Sequence, residues 1–102
     1  ITENGASFSD GPGLDGVIRD LRRINYLDDH IRATGMAMER GIKVKGYFVW
    51  SLLDNLEWTS GYSQRFGLIW VDHATGNRIP KESYHWYRQV IARGLPDQVR
   101  LL

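Results

Sequence analysis

The chain contains no cysteine, which excludes disulfides and thiol chemistry. Its three histidines, His30, His73 and His85, are scattered and show no metal-ligand spacing, so no metal or other cofactor is expected. No apolar run reaches the length of a membrane span, no signal-peptide pattern is read within the sequence, and no N-x-S/T sequon occurs. A membrane partner is not expected; none of this fixes a compartment, and the localisation is left open with the cytoplasm favoured. An excess of one charge sign is missing as well. Thirteen Lys and Arg against twelve Asp and Glu leave a net charge of +1, which offers no basic field to nucleic acid or an anionic membrane. An initiator methionine is also absent: the chain opens on Ile1-Thr2-Glu3, which reads as the end of a strand. The expectation is that an upstream portion of a larger domain is missing.

What is present is ordinary globular composition, 42% hydrophobic and 25% charged over 102 residues, which makes no compositional case for disorder. Four glycines and one proline between Asn4 and Gly16 mark a loop. Asp20 suits a helix N-cap, and Leu21, Ile24, Leu27, Ile31 and Met38 follow at helical spacing. The opposite face carries Arg22, Asp28, Asp29, Arg32 and Glu39, and Gly41 suits the C-terminal stop. Val44 to Trp50 is β-branched and aromatic, as a strand buried on both faces would be. A long polar and aromatic segment from Ser51 to Arg65 precedes a shorter strand, Phe66 to Asp72, and a turn at Ala74-Thr75-Gly76-Asn77. A second helix is expected from about Lys81 to Arg93, with Tyr84, Tyr87, Val90 and Ile91 on one face. The order is βαβα, which implies a parallel sheet with helices outside. Two strands cannot make such a sheet alone, so the chain reads as two consecutive units of something larger.

In parallel α/β folds, reacting groups gather at the C-terminal ends of strands. Here those ends hold Thr2-Glu3-Asn4-Gly5 and the run from Trp50 through Asp54 and Glu57 to Trp58. Flat apolar sugar faces stack on indole rings, and ring hydroxyls need charged or polar partners. Carboxylates and tryptophans at one mouth suggest a carbohydrate. The residues that carry a more specific resemblance are I-T-E-N-G at 1–5, G-Y-F-V-W-S-L-L-D-N-L-E-W at 46–58, G-Y-S-Q-R-F-G-L at 61–68 and V-D at 71–72. Arg78, Lys81, Ser83 and Trp86 extend it. In order and spacing these resemble the C-terminal portion of glycoside hydrolase family 1, the β-glucosidase family.

That resemblance implies the C-terminal part of a (β/α)8 TIM barrel, about its last two βα units, with residues 1–102 a segment of one catalytic domain. It implies a retaining β-glycosidase in which Glu3 is the nucleophile and forms a covalent glycosyl-enzyme intermediate. Trp50 matches the stacking platform under the sugar, Glu57 the carboxylate bridging its O4 and O6 hydroxyls, Trp58 a neighbour of O3, and Phe66 an apolar wall near the hydroxymethyl group. An acidic Glu57 implies a terminal unphosphorylated β-glycoside as substrate. The acid/base glutamate of the family, in a T-x-N-E-P-type motif, does not occur here. It would come from the upstream part of the same barrel, leaving this segment inactive by itself. Retaining hydrolysis needs two carboxyl groups about 5–5.5 Å apart, and Glu57 is read as binding hydroxyls rather than as the second of them.

Blander roles compete at several positions. Trp50 could be plain core, Phe66 could be packing, and Asp54 and Asn55 suit a loop better than catalysis. Trp70, Trp86, Tyr84 and Tyr87 read as structural aromatics, and Arg22 and Arg23 as salt-bridge or loop-capping residues. The competing function is a stand-alone quarter-barrel, a folding unit or non-catalytic sugar-binding module.

Overall fold

In a computed structural model, residues 1–96 are described. The first helix, α1 (Leu21–Glu39), follows Asp20 as expected. It ends through the two backbone bonds of a glycine stop: Gly41, at φ +93°, donates to Met38 O at 3.0 Å, and Ile42 to Ala37 O at 3.1 Å. Its buried face differs from the apolar stripe. Ile24 and Leu27 are buried, but Leu21 and Met38 are exposed, while Arg23, Asn25 and Asp28 turn inward. Asp28 accepts from Arg32 one turn along at 3.0 Å, which satisfies a carboxylate that the periodicity had assigned to solvent.

The chain's regular sheet is a hairpin. Strand β1 (Ile69–Val71) pairs antiparallel with β2 (Arg78–Pro80), in the register Ile69–Pro80, Trp70–Ile79 and Val71–Arg78. The turn between them falls where Ala74-Thr75-Gly76-Asn77 was expected. Asp72 accepts the Ala74 amide through its side chain at 3.0 Å, and Gly76 adopts φ +79°. The second helix, α2 (Glu82–Arg93), ends at Gly94 with φ +81°. Glu82 and Arg93 sit at the ends of α2 where the helix dipole favours their charges.

The expected fold class, two βα units with a parallel sheet as part of a (β/α)8 TIM barrel, needs correction at the level of this chain. Val44–Trp50 is not a regular strand. It touches the chain start through one parallel bridge, Asn4–Val49, with Trp50 N–H donating to Asn4 O at 2.9 Å. A second parallel bridge joins Leu53 to Ile69. The ladder stops there because a parallel strand needs neighbours along both edges, and each of these segments has few. Phe48, expected inside a strand buried on both faces, is exposed.

The interior is polar as much as apolar. Its buried hydrophobic residues are Ile18, Ile24, Leu27 and Leu68, whereas Asp20, Arg23, Asp54, Lys81 and Ser83 are among the buried polar ones. Asp20 shows how this works. It makes no side-chain cap on its own helix. Its carboxylate instead accepts the Ser83 amide at 2.9 Å and the Ser83 hydroxyl at 2.5 Å, while Ile18 O accepts the Glu82 amide at 2.9 Å. Residues 18–20 thus cap α2 across the seam between the helices, satisfying two amides that a helix N-terminus leaves unpaired. No helix among the described residues is long and apolar enough to cross a membrane.

Candidate active site

The loops that follow the two parallel bridges enclose a concavity of about 420 Å³. It is lined by Glu3, Asn4, Gly5, Trp50, Glu57, Trp58 and Phe66. All five residues singled out from the sequence, Glu3, Trp50, Glu57, Trp58 and Phe66, therefore face one hollow, although they come from three separate stretches of chain.

Each wall has a local cause. Asn4 is tied down by its neighbours: its side-chain amide donates to the Tyr26 hydroxyl at 3.3 Å, and the Tyr47 hydroxyl donates to Asn4 Oδ1. Burial, with the Tyr87 and Tyr26 hydroxyls nearby, pushes the Tyr47 phenol up to about 12, so it stays a proton donor at neutral pH. Gly5 lies against the next rim. A Cβ there would come within 1.8 Å of the Trp50 carbonyl oxygen, so only glycine allows the two loops to meet. The Trp50–Ser51 peptide is cis.

The Trp50 indole N–H donates to Glu57 Oε1 at 2.9 Å. This bond orients the Glu57 carboxylate and leaves its second oxygen for another donor. Trp58 opens a short 3-10 turn, Trp58–Ser60, with its backbone at φ +39°, and the residue is 93% exposed. A bulky residue held in left-handed backbone with its ring in solvent has no packing reason to be there. Phe66 is half-buried, and its carbonyl accepts the Ser51 amide at 3.2 Å, which pins that wall to the Trp50 loop. The hollow thus offers two carboxylates, Glu3 and Glu57, between exposed aromatic faces. Such a surface can stack an apolar ring face, accept bonds from hydroxyls and present one carboxylate as a nucleophile.

A set of charged residues behind this hollow was not foreseen as a group, although Arg23 was read as a salt-bridge residue and is one. Asp54, read as loop-shaping, is buried and accepts from Arg65 at 2.7 Å, Lys81 at 3.0 Å, the Gly67 amide at 2.9 Å and the Val71 amide at 3.3 Å. Burial alone would raise its carboxyl, but Arg65, Lys81 and the Gly67 amide outweigh burial and hold it below the usual carboxylate value. Lys81, fully buried, also donates to Asp10 at 2.8 Å. Arg23 bridges Asp10 at 2.6 Å and Asp20 at 2.5 Å. Three carboxylates meet three cations along one line. Nothing local in sequence marks this cluster, because its members lie up to 71 positions apart.

Comparison with known proteins puts this geometry in context. Residues 1–95 match the family described as glycosyl hydrolase family 1. The chain is 52% identical over 98 residues to β-glucosidase A of Thermotoga maritima, covering 95% of this chain and 22% of that protein. It is 49% identical over 96 residues to a bifunctional β-D-glucosidase/β-D-fucosidase of Bifidobacterium breve, covering 90% of this chain and 21% of that one. Among solved structures, a family 1 β-glucosidase from Thermotoga maritima superposes with a TM-score of 0.93 at 49% identity, over 96% of this chain and 22% of the other. The same enzyme in complex with castanospermine gives 0.92. The chain thus spans about a fifth of the length of these relatives. The expectation that it is specifically the C-terminal part of the barrel does not stand: what the matches carry is a share of about 22% of a β-glucosidase chain, not that placement.

Proposed function

The chain belongs to glycosyl hydrolase family 1, a family of glycosidases, and from that premise we propose that it supplies the nucleophile and part of the sugar site of a retaining β-glycosidase. The observation that carries this reading is the convergence of Glu3, Trp50, Glu57, Trp58 and Phe66 on one hollow.

In the proposed reaction the Glu3 carboxylate attacks the anomeric carbon of a terminal β-glycoside as the bond to the leaving oxygen breaks. An acid/base glutamate from the rest of the enzyme chain protonates that oxygen. The resulting glycosyl ester on Glu3 is then opened by water, which the same glutamate deprotonates, giving net retention. Trp50 would carry a flat face of the sugar ring. Glu57, aimed by the Trp50 indole, would accept from ring hydroxyls, with Trp58 at their edge and Phe66 against the hydroxymethyl group. A carboxylate at Glu57 repels phosphate, which favours an unphosphorylated glycone.

A second hollow, of about 510 Å³, supports the dependence on the rest of the enzyme. Tyr47, Phe48, Val49, Leu52, Tyr84, Tyr87 and Ile91 line it, and Phe48, Leu52 and Ile91 are exposed. Apolar surface of that kind is ordinarily covered in a working protein, which speaks against a stand-alone sugar-binding module. The test is Glu3→Gln in the complete enzyme, assayed with a nitrophenyl β-glucoside. The expected loss is about 10⁴-fold or more in kcat, the order seen when one member of a covalent-catalysis set is removed. A variant that keeps the full rate would mean that Glu3 is not the nucleophile.

A further inference from the structure

The pocket walls come from residues 1–5, 50–58 and 66, and none of these belongs to a helix longer than one 3-10 turn or to a regular strand. Isolated backbone bonds rather than continuous ladders join the walls, such as Trp50 N–H to Asn4 O at 2.9 Å and Ser51 N–H to Phe66 O at 3.2 Å, so side-chain contacts share in fixing them. Each wall, however, leads within a few residues to a charged side chain at the seam behind. Asp10 follows the Glu3 loop, Asp54 follows Trp50, and Arg65 precedes Phe66. Lys81 stands between them, donating to Asp10 and Asp54, and Asp54 in turn binds Arg65. The carbonyl of Arg65 closes the circuit, accepting from the Phe8 amide at 3.2 Å and from Arg23 Nη2 at 2.8 Å.

We propose that the chain of ion pairs Asp10–Lys81–Asp54–Arg65 is the positioning device of the pocket, holding the Glu3 rim, the Trp50–Glu57 rim and the Phe66 wall in register. This rests on the reading of that hollow as the sugar site. Buried ion pairs contribute little net stability relative to a well-packed apolar replacement, but they are directional. Directionality is what a site built on irregular loops needs. Among the described residues, the side-chain polar partners of Lys81 and Asp54 are Asp10, Arg65, each other and the Gly67 and Val71 amides rather than the lining side chains, so they act through the loops they hold.

The test uses the complete enzyme and 4-nitrophenyl β-D-glucoside, with kcat and KM expressed per folded molecule. Asp54→Asn keeps shape and loses charge. It is expected to lower kcat about 10- to 100-fold, the order a misplacement of about 1 Å produces, with the fall in kcat exceeding any rise in KM. Arg65→Met acts at the outer end of the chain, where the side chain is partly exposed and Asp54 keeps Lys81 and the Gly67 amide as partners, and is expected to fold and to show the same split. Arg65→Lys should recover most of the rate. If Asp54→Asn does not fold, Arg65→Met decides. Wild-type constants in the folded variants, with only a lowered Tm, would overturn the proposal, as would failure of Arg65→Met to fold. An inactive Glu3→Gln beside a wild-type-like Asp54→Asn sinks this inference alone, whereas an active Glu3→Gln removes the sugar-site reading and this inference with it.

Discussion

The rim of the hollow and the seam behind it are built on opposite principles. At the rim, Glu3, Trp50 and Trp58 are exposed and Trp58 stands almost free. At the seam, Asp20, Arg23, Asp54 and Lys81 are sealed from solvent and paired one to another. Rim side chains can therefore be removed with little damage to folding, because they contact little. Seam side chains cannot, because each removal strands a partner in a low-dielectric interior. The comparison teaches where selection for binding and selection for folding act in this chain, and it can be broken by substitution.

Asp20→Ala should give the largest stability loss. It leaves the Ser83 amide without its acceptor and Arg23 with one carboxylate fewer, at a cost of about 3–5 kcal/mol. A lowered urea midpoint in the complete enzyme would register it, and an unchanged midpoint would mean that the seam is not structural. Gly5→Ala sits on the boundary between the regions. Its Cβ would meet the Trp50 carbonyl at 1.8 Å, so the loops must part, at about 1–3 kcal/mol. Activity should fall by at least about tenfold, since both rims move.

A smaller effect is expected from acid. The ordinary Asp54 value is 3.8 and the folded protein holds it lower. Near that pH the unfolded chain binds more protons than the folded one, so stability rises with pH there. The contribution is complete above about pH 5 and fades as pH falls through the lowered value. Asp54→Asn should flatten the urea midpoint between about pH 5 and pH 3, and an unchanged slope would remove Asp54 from the acid response. Smallest of all is the stability change for Trp58→Ala, expected within about 0.5 kcal/mol because the ring packs on nothing. KM for the glucoside should nevertheless rise. A Trp58 variant that unfolds readily would erase the contrast between rim and seam.

Local order was legible from sequence. The bounds of α1 followed from helical spacing and from Gly41, those of α2 from spacing alone, and the hairpin turn from Ala74-Thr75-Gly76-Asn77. The five rim residues were nameable because they fall in short contiguous motifs. Asp20 was correctly placed at the head of α1, yet its carboxylate serves α2 instead. Asp28 was misassigned to solvent, since periodicity within one helix does not tell which of its faces the rest of the chain covers. Val44–Trp50 looked doubly buried because its composition suits a central strand, while its neighbours here cover only part of it.

Sequence alone determined the helices, their stops, the turn and the identity of the aromatic and acidic groups at the rim, because each depends on residues within a few positions of one another. Only the tertiary structure decided that Asp10, Asp54 and Lys81 share one buried line and that Gly5 lies against the Trp50 carbonyl. Those contacts join positions 27 to 71 residues apart, and no local pattern encodes which distant charge will neutralise a buried one.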